Sequence, residues 1–133
     1  MSTEKSKWVD AVAKLIELTQ EGGLKWTIDE PPASLSRRPD ARVELVFVAK
    51  YGEKSLRLYE RRFQEEFIDF NEFEMRPVPK TEWRKAVVLE FVDDNGNSLW
   101  AFPSVEALND LMSAVQYQAA GVKDFLTELL AAS

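Results

Sequence analysis

The chain has 133 residues, a formal net charge of −6, and neither histidine nor cysteine. Those two absences exclude the usual proton shuttle of neutral pH, the thiolate nucleophile, and every zinc site built on Cys or His. The acid excess disfavours a nucleic-acid surface and electrostatic docking on anionic lipid. Hydrophobic residues make up 45%, which describes a globular chain able to bury a core without metals or disulfides.

The N-terminus, Met1 to Lys7, is polar and leads into no apolar run of signal-peptide or membrane-span length, so a cytoplasmic location is expected. The first predicted element is a helix over about Thr3 to Gln20, with Trp8, Val12, Leu15, Ile16 and Thr19 on one face. Gly22 and Gly23 end it by accepting a left-handed C-cap. Leu24, Trp26 and Ile28 alternate with Lys25 and Thr27, predicting a short strand. The proline- and serine-containing stretch from Asp29 to Asp40 reads as a loop.

A strand is predicted from about Ala41 to Tyr51, with Val43, Leu45, Phe47 and Ala49 on one side. Val46 and Val48 on the other side point to a second, partly covered face. Gly52 to Lys54 makes a hairpin turn, and Ser55 to Arg62 returns with Leu56 and Leu58 set against Arg57, Tyr59 and Arg61. Phe63 to Met75 carries two patterns. Phe63, Phe67, Phe70 and Glu74 fit helical spacing loosely, while Phe67, Asp69, Asn71, Phe73 and Met75 equally form one face of a strand. The expectation leans to a short helix or an irregular turn. Pro77 and Pro79 force extended backbone around Val78.

From about Arg84, Val87, Leu89 and Phe91 alternate with Ala86, Val88, Glu90 and Val92. Asp93 to Asn97 is a hairpin signal in which Asn95 and Gly96 can supply positive φ angles. Ser98 to Phe102 returns as a strand, and Ser104 is the expected N-cap of a helix with Leu108, Leu111, Met112, Val115 and Ala119 on its apolar face. Gly121 breaks this helix. Val122, Phe125, Leu126, Leu129 and Leu130 then define a last amphipathic one. Two hairpins without a βαβ unit predict a single α+β domain over residues 1–133. Its antiparallel sheet of about five strands carries an N-terminal helix and two C-terminal helices on one face.

No catalytic, cofactor-binding or metal-binding constellation emerges. Asp93 to Asn97 has oxygen ligands at close spacing but lacks the terminal bidentate acid of a calcium loop, so a plain turn is expected. Glu65, Glu66, Asp69, Glu72 and Glu74 can in principle supply paired carboxylates for hydrolysis or magnesium, or a docking surface for a basic partner. A solvated face is favoured, because charge runs face water. Arg37 with Arg38 and Arg61 with Arg62 can clamp an anion, but Arg61 and Arg62 are neighbours in a strand and face opposite ways.

Aromatics are the richest feature. Exposure of Phe67, Phe70, Phe73, Trp83, Trp100 or Phe125 would mark an interaction surface. The primary expectation is a non-enzymatic protein-interaction module of adaptor, chaperone-like or immunity type, binding another protein or itself. The second is a small-molecule binder with an apolar pocket lined by Trp26, Phe47 and Trp100.

The stretch from Leu15 to Trp26, and the close formed by Leu99 to Pro103, Leu108 to Val115 and Gly121 to Leu130, resemble small bacterial domains of unknown function. The resemblance implies a bacterial or phage-derived origin and no activity. If Phe63 to Asn71 is helical, the element order is also similar to that of the small acidic chaperones of type III secretion effectors, which dimerise.

Overall fold

Strand-forming sequence runs much further than the alternation around Ser55 to Arg62 implies. In the computed structural model, which describes residues 4–36, 39 and 41–132, two long strands form the axis of the fold. They are β4 (Lys54–Asn71) and β5 (Arg76–Val92), paired antiparallel along their whole length from Ser55↔Val92 to Asn71↔Arg76. Around them lie β1 (Thr27–Asp29), β2 (Ala41–Arg42), β3 (Val46–Tyr51) and β6 (Ser98–Ala101). The sheet order is β1-β3-β4-β5-β6, with β2 pairing β4 beyond the end of β3. The helices are α1 (Glu4–Glu21), a short α2 (Ala33–Ser36), α3 (Ala107–Ala119) and α4 (Val122–Ala131). The α+β class, the antiparallel sheet, the N-terminal helix and the two C-terminal helices are as the sequence predicts. Thr3, Arg37, Arg38 and Asp40 lie outside the described residues.

Residues directly opposite in an antiparallel pair share a face, so the register divides the sheet into a helix face and an outer face. On the helix face, Leu56, Leu58, Leu89 and Phe47 pack with Val12 of α1 and with Leu108, Leu111, Met112 and Val115 of α3. On the outer face, Val43, Val46 and Tyr59 form a smaller buried cluster with Leu35 and Val88 packed against it. The short α2 therefore closes the back of the sheet within what reads as a loop. Tyr59, set against Leu56 and Leu58 in the sequence pattern, is buried in this cluster, and Arg57 on the same face is buried against Glu90.

Several local expectations change. Leu24 and Trp26 are buried, but the strand begins only at Thr27 and Ile28 is exposed. The Trp26 N–H donates instead to Gln118 Oε1 at 2.8 Å. The strand predicted over Ala41 to Tyr51 is interrupted at 43–45, which turns Leu45 outward and Val43 towards Val46. Ser104 does not cap α3. Glu106 occupies that position without a side-chain hydrogen bond, because Val105 is first drawn into the core. At the second hairpin only Gly96 takes positive φ, at 81°, whereas Asn95 does not. Gly22, at φ 82°, ends α1 as expected, with the Gly23 N–H returning to Leu18 O at 3.0 Å.

The largest correction concerns Phe63 to Met75. This segment is not helical: it completes β4 to Asn71 and then turns over 72–75 into β5. Two-residue periodicity wins because Pro77 and Pro79 hold the opposite strand extended. The likeness of element order to type III secretion chaperones required a helix here and loses its basis.

Candidate interaction surfaces

Beyond the pairs Phe63↔Arg84 and Ala41↔Phe63, β4 and β5 have no further strand beside them among the described residues and continue as a two-stranded arm. Every side chain from Gln64 to Phe70 is exposed, as are those from Glu72 to Pro77. The arm is amphipathic by strand parity. Its outer face carries Glu65, Phe67 and Asp69 opposite Glu82, Lys80 and Val78. Diagonal ion pairs tie these together, Glu65 to Arg84 at 3.0 Å and Asp69 to Lys80 at 3.1 Å. Its helix face carries Gln64/Trp83, Glu66/Thr81, Ile68/Pro79 and Phe70/Pro77. Glu66 is the one charge in those four pairs.

This sparsely charged face continues the surface that α1 and α3 cover in the body. The cover ends near Val87, which packs against the main core. At the boundary Arg42, Arg62 and Lys85 form a basic collar, with the Arg42 guanidinium 5.4 Å from the centre of the Trp83 ring. Further out, Ile68 is 75% exposed, and Phe73 at the tip is fully exposed.

α4 presents a second bare surface. Gly121, at φ 70°, turns the chain out of α3, and α4 packs against α3. Phe125, Leu126, Leu129 and Leu130 nevertheless remain exposed, Leu130 by 81%. A third surface is aromatic. Trp100 on β6 lies 5.0 Å from Trp8, 5.7 Å from Phe102 and 6.1 Å from Phe91 between ring centres, and it is half-exposed at the sheet edge.

The six aromatics singled out from sequence are thus all at least partly exposed. Phe67, Phe70, Phe73 and Trp83 share the arm, while Trp100 and Phe125 lie on separate elements. Ile68 and Met75 belong to the arm surface and were missed. The signal for Ile68 was its even-number register with Phe70, which becomes visible once β4 is read through to Asn71.

The other candidates resolve differently. The acids of the Glu65–Glu74 run are exposed and spread over both faces of the arm, and three of them bond basic neighbours. They do not converge in a cleft, so the two-carboxylate hydrolase reading is withdrawn. Among the described residues no group of His, Cys, Asp or Glu is placed to hold a metal ion. Asp93 uses Oδ1 to accept the N–H groups of Asn95 and Asn97 at 2.9 and 2.8 Å, which is a turn's chemistry. The Asn97 N–H is the main cause that holds its carboxyl below the usual carboxylate range. Arg61 and Arg62 do face opposite ways, Arg61 over the Phe63 ring at 4.9 Å and Arg62 bonded to Glu60 at 3.3 Å.

Trp26, Phe47 and Trp100 do not line a common pocket. Trp26 and Phe47 are closed into the core, and Trp100 belongs to the edge cluster. A groove of ≈ 660 Å³ opens instead on the outer face, where Lys25, Lys50 and Arg57 mix with Asp29, Asp93 and Asp94. Among the described residues no buried side-chain polar atom lacks a partner, so none there waits for a ligand. No helix among them is long and apolar enough to cross a membrane. Comparison with protein-family models, with curated proteins and with solved structures finds no match.

Proposed function

We propose that this chain is a non-enzymatic protein-interaction module of adaptor, chaperone-like or immunity type, acting in the cytoplasm. The observation that carries the reading is the helix face of the arm. It exposes Ile68, Phe70 and Trp83 on a face whose four cross-strand pairs carry one charge, Glu66, on a hairpin with no cover among the described residues. Contiguous exposed apolar surface of this kind marks a protein contact, and an isolated two-stranded ribbon is marginally stable in water. A protein partner fits better than nucleic acid or anionic lipid, because the arm's charges alternate in sign and the chain carries −6 overall. The absence of histidine and cysteine supports binding over catalysis.

The test is photo-crosslinking in living cells that express the chain. A photoreactive side chain replaces Phe73 in one variant, Leu129 in a second and Lys14, on α1, in a third. Adducts to polypeptide concentrated at the first two positions are expected. Equal yields at all three would overturn the reading.

A further inference from the structure

One chain leaves two apolar surfaces bare. The arm offers a shallow strip of Ile68, Phe70, Pro77, Pro79 and Trp83. α4 offers a helical stripe of Val122, Phe125, Leu126, Leu129 and Leu130, at the spacing that fills one side of a helix. A helix is what covers the same sheet face in the body, where α3 lies on β5. Lys123 flanks the stripe beside Leu130 and Glu128 flanks it beyond Phe125, so the margins carry both signs of charge. At the base of the arm strip Arg42, Arg62 and Lys85 share the face with Glu60, which bonds Arg62. Within one chain the two surfaces stay apart, since both remain exposed.

The surface area says how much is left uncovered. A folded monomer of 15.2 kDa is expected to expose about 7,100 Å². This chain exposes 9882 Å², an excess of roughly 2,800 Å² over that scaling. If each of two copies buried only half of the excess, the total would be about 2,800 Å², within the range of obligate homodimers.

We infer that the occupant of both surfaces is a second copy of this chain: the arm of each copy lies along α4 of the other, about a two-fold axis. This rests on the interaction reading above and names its partner. A two-fold arrangement repeats the arm-to-helix contact and leaves neither strip bare, as an isologous interface requires.

The full chain should sediment at twice its 15.2 kDa mass. Ile68→Asp with Phe70→Asp on the arm, or Leu126→Asp with Leu129→Asp on α4, should weaken the dimer by ~30-fold or more, the scale of lost interface anchors. These positions are exposed in the single chain. Mixing the two variants should restore a mixed dimer, because one arm and one helix remain intact in it. As a check independent of whether the charged variants fold, the chain has no native cysteine. Ile68→Cys mixed with Leu129→Cys should therefore oxidise to a covalent heterodimer, whereas Ile68→Cys mixed with Lys14→Cys should not.

A chain that sediments as a monomer at every concentration overturns the inference and leaves the interaction reading to a different protein. A dimer that survives both charged variants, with no Ile68–Leu129 crosslink, overturns the arm-to-helix pairing while self-association stands.

Discussion

Arg57 on β4 and Glu90 on β5 sit directly opposite each other and are buried together, with the Arg57 Nε donating to Glu90 Oε1 at 2.7 Å. Arg57 is 5% and Glu90 4% exposed. Each has a further partner: Arg57 Nη1 donates to Gly96 O at 2.8 Å, and Glu90 Oε2 accepts from Ser98 Oγ at 2.8 Å. The pair thereby fastens the turn at 93–97 and the start of β6 to the middle of the sheet.

Breaking this pair from one side should be costly. Arg57→Met leaves a buried carboxylate without its cation and is expected to lose about 3–5 kcal/mol of stability. The double variant Arg57→Met with Glu90→Leu should recover most of that loss, because neither charge is then stranded. Urea denaturation of the two single variants and the double variant measures the coupling. Additive losses would show that the residues act independently.

The pair also shows where sequence reading fails. Leu56, Leu58 and Leu89 were legible as core, as were the apolar faces of α1 and α3, because one face of each element is continuously apolar. Tyr59 was not, because its burial depends on Leu35 and Val43 arriving from a distant loop and an interrupted strand, and Arg57 was not, because its burial goes with a partner, Glu90, that only the β4–β5 register reveals. The arm was hidden for a different reason. With no core to face, Gln64 to Asn71 carries no clean alternation of apolar and polar residues, and Phe67 and Phe70 fall on opposite faces. The aromatics were legible as candidates for exposure. Their grouping was not, since it follows from the β4–β5 register.

Gln118 joins three segments. Its Oε1 accepts from the Trp26 N–H, and its Nε2 donates to Thr19 O and Leu24 O, each at 2.8 Å. Gln118→Ala removes these partners from part-buried backbone groups and should cost about 1–3 kcal/mol. Gln118→Glu keeps the shape but sets a carboxylate against two carbonyl oxygens, which favours its protonated form in the folded state. The folded state then binds more protons than the unfolded one, so this variant should gain stability relative to wild type as pH falls. Thermal melts at neutral and mildly acidic pH test this. A pH-independent difference would refute it.

Asp93 should show the opposite sign. Its carboxyl is held below the usual carboxylate range, first by the Asn97 N–H and further by the Asn97 side chain and the Asn95 and Gly96 backbone. The folded state therefore holds fewer protons here than the unfolded state. The resulting stability is present above the unfolded pKa and disappears as pH falls through the folded one. Asp93→Asn keeps an oxygen for the turn but cannot titrate. Its urea midpoint should fall less steeply than wild type on acidification, and parallel curves would sink the assignment.

Met75 closes the arm at φ 54°, the one non-glycine residue with positive φ among the described residues. Asn71 supports the same turn, its Oδ1 accepting from the N–H groups of Phe73 and Glu74 at 2.9 and 3.1 Å. A side chain in left-handed backbone costs roughly 1–2 kcal/mol, part of which glycine's extra unfolded-state freedom takes back. Met75→Gly should therefore stabilise the closed tip by about 1 kcal/mol, and Asn71→Ala should loosen it by a similar amount. Because a hairpin tip opens locally rather than with the whole domain, the readout is amide exchange. Arm amides should exchange about fivefold more slowly in Met75→Gly and faster in Asn71→Ala, while the core amides of α3 stay unchanged in both. Faster arm exchange in Met75→Gly would mean that the methionine side chain contributes more to the tip than its backbone strain removes.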